Sequence, residues 1–244
     1  SFVKLAGLQV YGNYSRIKKE KSVAITFREK YGDKRLDYAL FPDYPELHKY
    51  KSFILRNFGN NFGMDYVRDR LGSSIGDDLG LDSRHGRYAV VYYNGEYYGI
   101  QDLRERSNEY YFETRYGMNP DDIDLLDAEN AVSAGSAVDY EALIDWLESH
   151  SLADDENYAY VASQIDIDNY LNYVHTELYV DNRDWPANNL KKWRNSKLLT
   201  KWKWILFDLD FGFDSGHSLY ANNVFEYATA EDGRSWPNGP EYTF

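Results

Sequence analysis

The chain has no cysteine among its 244 residues, which removes disulfide frameworks, thiolate nucleophiles, zinc knuckles and iron–sulfur clusters at once. No apolar run approaches the ~20 residues needed to cross a bilayer, so no membrane span is expected. Positive charge is scarce too: 27 Lys and Arg stand against 40 Asp and Glu, a net charge of −13. A field of that sign repels nucleic acid and anionic lipid, so neither is expected as a partner. The histidines, His48, His85, His150, His175 and His217, lack metal-ligand spacing and read as structural or surface residues. The chain opens at Ser1 without Met, a basic n-region or an apolar h-region, so any targeting signal is expected outside it. Residues 240–244 carry no helix stop signal and read as a segment cut in mid-passage, which points to a piece of a longer protein.

Aromatic rings are abundant instead, 17% of the chain and led by 24 Tyr. Rings with polar handles suit a half-wet core periphery, or a stacking platform for a sugar or nucleobase. The length fits one large domain or two lobes. Through residue 105 the pattern is strand-rich, with short apolar and β-branched runs between turn residues: candidate strands at 2–11, 22–27 and 53–56, and a hairpin of 88–93 with 97–103 about Asn94 and Gly95. One helix is expected there, over 64–79, with Val67, Leu71, Ile75 and Leu79 on its apolar face. From residue 106 to 244 the pattern is mainly helical, at 138–150 with Asp139 placed as cap, 158–165 and 166–180. A second hairpin, 189–194 with 198–207 turning at Asn195 and Ser196, is inserted there; the acidic stretch 121–129 reads as an exposed loop. Strands followed by helices give an α+β class.

Chemistry gathers after the last of these helices. Asp184 is followed five residues later by Asn189, the spacing of protein kinase catalytic loops, where the Asp orients a substrate hydroxyl and the Asn holds magnesium. Beyond the hairpin come Asp208, Leu209, Asp210, Phe211 and Gly212. Carboxylates at i and i+2 of a strand share a face and reach one hard cation together, and Asp210 to Gly212 spell the kinase magnesium tripeptide. Each match alone is weak; their order of helix, loop, hairpin and acidic strand end is much less easily met by chance. Arg56 ends a short apolar strand where a kinase places its phosphate-binding Lys, and a guanidinium grips phosphate bidentately. An ion pair with Asp69 or Glu105 is the plainer reading of Arg56. Arg16, Lys18, Lys19 and Lys21 follow Gly12 in the first loop, either a solvated basic turn or the loop that covers phosphates.

The sequence Gly12, Asn13, Tyr14, Ser15, Arg16 with Lys19 and Lys21, the run from Lys51 to Asn57, and the pair Arg68 and Asp69 resemble the spore coat protein CotH family. So do Tyr92 to Gly99 with Arg104 and Glu105, Asp181 to Asn189, and Trp204 to Asp210; the resemblance spans essentially the whole chain. It implies an atypical secreted protein kinase of bacterial type with a kinase-like two-lobe fold: a strand-rich N-lobe over 1–105 on the nucleotide phosphate side, and a helical C-lobe over 106–244 with the catalytic and metal-binding loops. The implied activity moves the ATP γ-phosphate to Ser of a protein substrate with Mg. At matching positions Asp184 takes the catalytic-loop role, and Asn189 (or Asn188), Asp208 and Asp210 hold magnesium. Arg56, Arg16, Lys21 and Glu105 fall on the nucleotide side, and Trp202 or Trp204 with a Tyr near the lobe hinge would stack adenine. Phe207 departs from the family's usual Trp before the paired aspartates. The implied setting is extracellular or cell-surface, in coat assembly or beside polysaccharide-degrading systems. Two other readings remain: a non-catalytic pseudokinase module that binds an extracellular protein or carbohydrate with a structural calcium or magnesium, and a hydrolase using Asp184 and Asp208 as paired carboxylates.

Overall fold

In the computed structural model, residues 1–186, 188–213, 225, 228 and 229 are described. His217, residues 240–244 and the far part of the 106–244 segment lie outside the described residues. The first strands are Gly7–Tyr11 (β1), Ser22–Thr26 (β2), the short pair Leu36–Asp37 (β3) and Lys49–Tyr50 (β4), and Ser52–Arg56 (β5). Helix Arg68–Asp78 (α1), strand Asp82–Ser83 (β6) and the hairpin Gly86–Tyr93 (β7) and Glu96–Glu105 (β8) follow. Next come Glu109–Tyr116 (α2), Ile123–Leu126 (β9), Val132–Ala134 (β10), and helices Val138–Ser149 (α3), Asp155–Gln164 (α4) and Ile167–Tyr179 (α5). Lys191–Asn195 (β11) and Lys203–Leu206 (β12) complete an α+β structure.

The strands form two five-stranded sheets and one short pair. One sheet runs β1-β2-β5-β8-β7, antiparallel throughout, and draws only on residues before 106. Its hairpin turns through Asn94 (φ 53°) and Gly95 (φ 85°), the two left-handed residues a type I′ turn needs. The other sheet runs β10-β9-β11-β12-β6, and β6, from the first part of the chain, pairs parallel with β12. The strand-rich segment therefore contributes to both sheets. Among the described residues no helix is long and apolar enough to cross a membrane.

Strand β5 is buried on both faces. Phe53 and Leu55 join Phe27, Leu36, Phe41 and Leu103 in an apolar cluster. Because side chains alternate, Ile54 and Arg56 point the other way, beside Arg104 and Asp102 across the ladder. That polar face of an interior sheet is where the site is built. A larger cluster of Tyr173, Trp185, Trp202, Trp204, Leu206 and Leu209 packs the helices against the second sheet.

Helix α1 is shorter than the expected 64–79, and of the expected apolar face only Ile75 packs against the core. Val67, Leu71 and Leu79 are 48%, 49% and 45% exposed, while Asp69, Gly72, Ser73 and Gly76 are buried. Close approach decides the orientation: a Cβ at Gly72 would run into Leu209, and one at Gly76 into Leu206. The glycine face also aims Asp69 at two buried arginines, Arg56 and Arg104, which would otherwise lose a counter-charge inside the fold. The expected acidic loop at 121–129 is corrected as well. Ile123–Leu126 is a fully buried strand, and the acids in it and after it are counter-ions, Asp124 to Arg194 at 3.0 Å and Asp127 to Lys191. Asp139 does not cap α3; Ala137 stands at the cap, and Asp139 pairs with Arg194. The second hairpin has its strands at 191–195 and 203–206, with a longer connection than the two-residue turn expected.

Candidate active site

Arg56 is 9% exposed at the end of β5 and meets three carboxylates. Its Nη1 pairs with Asp69 of α1, and its Nη2 reaches Asp208 and, at 2.6 Å, Asp210 Oδ2. Asp69 is shared with Arg104, which also holds Asp102 at 2.7 Å, and its Oδ1 accepts the Leu209 amide at 3.2 Å. The first sheet, α1 and the acidic loop after β12 thus meet in one buried lattice of alternating charge. Asp210 accepts the Asn60 amide at 2.8 Å and the Asn60 side chain at 3.1 Å. Gly59 makes this possible: its φ is +56°, and a Cβ there would run into Asp210 Oδ2 and come within 2.7 Å of Arg56 Nη2.

Asp184 lies on the loop after α5 and accepts from Asn189 Nδ2 at 2.9 Å and Asn188 Nδ2 at 3.2 Å. Asn189 Nδ2 also reaches the Asp208 carbonyl at 3.4 Å, so the loop and the acidic segment are tied together. With its NH2 engaged, Asn189 has Oδ1 to offer a cation. Asp181, Asn189 and Asp208 all take left-handed backbone, with φ of 53°, 57° and 63°. Asn and Asp tolerate that region best, and such outliers cluster at functional sites.

Electrostatics separates the carboxylates. Burial lifts Asp184 above its usual range and the Asp208 charge adds to the rise, against hydrogen bonds from Asn188 and Asn189. Burial also acts to raise Asp208, but Arg56, Arg84 and Arg104 outweigh it and hold it low. Asp210, 1% exposed, is pushed up to about 6 by burial and by Asp208, with Arg56 opposing. Asp184, of raised basicity, thus stands beside a carboxylate that stays ionised. Asp208, Asp210 and Asn189 together offer hard oxygen donors. Among the described residues no group of three or more His, Asp or Glu side chains stands ready as a metal cage, because Arg56 sits between the two aspartates.

The remaining sequence candidates fall elsewhere. Trp202 and Trp204 are 1% and 2% exposed, packed on Tyr140 and on Tyr170 and Tyr173, so neither ring has an open face for adenine. The family resemblance makes them candidates for stacking adenine, but Trp204, an inward residue of β12, and Trp202, just before that strand, fill the core. Phe207, the next residue out, is half-buried and carries cations of Arg84 and Lys191 near its ring. Glu105 does not pair with Arg56: its carboxylate is taken by Arg115 at 2.6 Å and by the His85 amide at 2.9 Å. Lys21 directs its ammonium to the Arg16 and Lys18 carbonyls at 2.7 and 2.6 Å, closing the first loop on itself, and Arg16 is exposed on the short turn Tyr14–Ile17. That loop is pinned near the site by Asn57, whose Nδ2 donates to the Glu20 carbonyl at 2.6 Å.

Sequence reasoning missed four contributors. Asn60 carries no motif, and Arg104 belongs to the stretch that resembles the family without a role being read from it. Arg84 is buried beside Phe207. Glu177, fully buried, accepts from Asn182 Nδ2 at 2.8 Å, and Asn182 Oδ1 accepts the Asp184 amide at 3.3 Å. Only Asn182, two residues before Asp184, gave a usable signal, since Asn at that spacing makes an Asx turn.

The fold and the site define an α+β protein in which Asp184, the Asp208 and Asp210 pair and the buried Arg56 are brought together. Comparison with family profiles matches residues 8–243 to CotH, described as CotH kinase protein. The chain belongs to that family. No curated protein matches it.

Proposed function

We propose that this chain is a CotH-type protein kinase, moving the γ-phosphoryl group of ATP to a Ser hydroxyl of a protein substrate, with magnesium. One observation carries the reading: a strand-end cation, Arg56, paired with a helix carboxylate, Asp69, directly above Asp208 and Asp210 and beside the Asp184 and Asn189 loop. In protein kinases a strand Lys pairs with a helix Glu above the metal-binding Asp and the catalytic-loop Asp and Asn, and the same spatial order supports a kinase-like two-lobe arrangement here. The donor set, two carboxylates and an amide carbonyl, fits magnesium. Magnesium bound there supplies charge neutralisation for the transferring phosphoryl group.

The chain's own residues do the rest. Asp184 accepts the hydrogen bond of the Ser hydroxyl and takes its proton at a carboxylate oxygen as the hydroxyl oxygen attacks the γ-phosphorus, the bond from that phosphorus to the β-phosphate oxygen breaks and ADP leaves. Asn189 and Asn188 hold that carboxylate in place. Arg56 is kept charged among three aspartates and is placed to meet phosphate oxygens. The first loop, with Arg16 and Lys21, lies over this end of the sheet. Family membership also supports an extracellular or cell-surface setting such as a spore coat.

A second reading, a non-catalytic module that binds protein or carbohydrate, is favoured by the hold of Arg56 on both Asp208 and Asp210. Radiolabel from the ATP γ-position separates the two. The kinase reading predicts magnesium-dependent label on protein Ser, falling at least about 100-fold in Asp184→Asn. Label surviving in that variant, or none in wild type with serine-rich acceptors, overturns it.

A further inference from the structure

Five arginines of the described residues are buried below one-tenth exposure or nearly so in their side chains, and four of them have carboxylates: Arg56 with Asp69, Asp208 and Asp210, Arg104 with Asp69 and Asp102, Arg115 with Glu105, and Arg194 with Asp124 and Asp139. Arg84 is the exception. It is 5% exposed, its Nε and Nη2 are buried without a hydrogen-bond partner, and no carboxylate among the described residues lies within ion-pair distance. The Asp208 charge acts on it from beyond ion-pair distance, and folds rarely leave buried guanidinium donors unused unless something supplies the missing acceptor.

Its position says what would. Arg84 directly follows β6, and the parallel register of Asp82 with Ile205 and Ser83 with Leu206 carries it alongside Phe207 at the carboxyl end of β12. Its guanidinium lies 5.0 Å from the Phe207 ring centroid, and the charges of Arg104, Arg56 and Asp208 all act on it. The planar fork is therefore braced by an apolar ring, with Asp208 next in the chain. We propose that Arg84 is a ligand for a phosphate-bearing anion, gripping two of its oxygens through the Nε and Nη2 donors that the fold leaves unused. This rests on the nucleotide-site reading above and adds to it the residue that holds a phosphate group. A guanidinium suits that role better than an ammonium, because two parallel donors match two phosphate oxygens.

The test uses wild type, Arg84→Met and Arg84→Lys, with sodium tripolyphosphate, ATP and adenosine as probes, each with magnesium at fixed ionic strength, read by titration calorimetry. Wild type is expected to bind tripolyphosphate and ATP. Arg84→Met is expected to lose about ten- to a hundredfold in affinity for both, the worth of a charge-assisted pair, with adenosine binding unchanged. Without anion Arg84→Met should melt no lower than wild type, since an unpaired buried charge has been removed. If it melts lower, Arg84→Lys decides: it keeps the charge but loses the fork, so its tripolyphosphate affinity must fall at least about fivefold. Tripolyphosphate binding unaltered in the deciding variant, or absent in wild type, overturns the proposal. Wild type binding tripolyphosphate but showing no preference for ATP defeats the nucleotide reading and leaves Arg84 as an anion ligand. ATP binding unaltered in the variants defeats Arg84 alone.

Discussion

Glu177 offers the sharpest link between burial and behaviour. It is fully buried on α5, its Oε2 accepts from Asn182, its Oε1 has no partner, and Tyr173 stands close by. Burial drives its carboxyl up to about 8, helped by the charges of Asp208 and Asp184 and opposed by Asn182 and Tyr173. The folded state therefore keeps a proton between pH ~4.5 and ~8 that the unfolded chain gives up, so stability falls as pH rises through that window. At roughly 1.4 kcal/mol per pH unit, the gap from the ordinary 4.5 to about 8 amounts to ~5 kcal/mol. Glu177→Gln has the shape of the protonated acid, keeps an oxygen for Asn182 and does not titrate. Urea unfolding of both proteins at pH 5, 6.5 and 8 should give near-equal stability at pH 5, and an advantage for the variant that grows to several kcal/mol at pH 8. Groups common to both proteins cancel in the difference. A constant difference across the three pH values would mean that Glu177 is ionised in the fold, and the burial argument would fail.

Gly59→Ala should lose at least ~2 kcal/mol in denaturant midpoint analysis, because the new Cβ collides with Asp210 and a left-handed backbone costs a non-glycine residue about 1 kcal/mol by itself. Gly72→Ala weighs ~1 kcal/mol of gained helix propensity against ~1–3 kcal/mol of overpacking on Leu209. We expect a net loss, and a double variant with Leu209→Ala that loses less than the sum of the two single changes; stabilisation by the single change would show that α1 is not held by close approach. His85 is pushed down to about 3 by burial and by Arg115 and Arg70, so the fold keeps it neutral while the unfolded chain binds a proton below ~6.5. Wild type should accordingly lose stability as pH falls from ~6.5 toward 3, and His85→Gln should lose less over the same range.

Much of the first sheet was legible because its signals are local. Asn94 and Gly95 fix a hairpin whatever surrounds them, and short β-rich runs marked β2 and β5. The helix over 64–79 was legible in existence and not in orientation, since its packing face is set by Gly72 and Gly76 meeting Leu209 and Leu206, residues about 130 positions away. Ile123–Leu126 was hidden by acids that pair with Lys191 and Arg194 on a strand the local pattern cannot see. At the site, Asp184, Asn189, Asp208, Asp210 and Arg56 were visible through spacing, and the structure brings them together. Asn60 and Arg84 were not, and Arg104 was visible without its role, because each acts through a partner distant in sequence. Trp202 and Trp204 misled for the same reason: ring chemistry is read from the letter, and burial is not.

The central claim is that Asp208 and Asp210, with Asn189, form one divalent-cation site that works with ATP beneath Arg56. Electron paramagnetic resonance of free Mn2+, titrated into protein with and without ATP, reads that site directly. The account predicts one ATP-dependent Mn2+ per chain in wild type, with uptake lost in Asp208→Asn and in Asp210→Asn. No ATP-dependent uptake in wild type, or uptake undiminished in both variants, would contradict it.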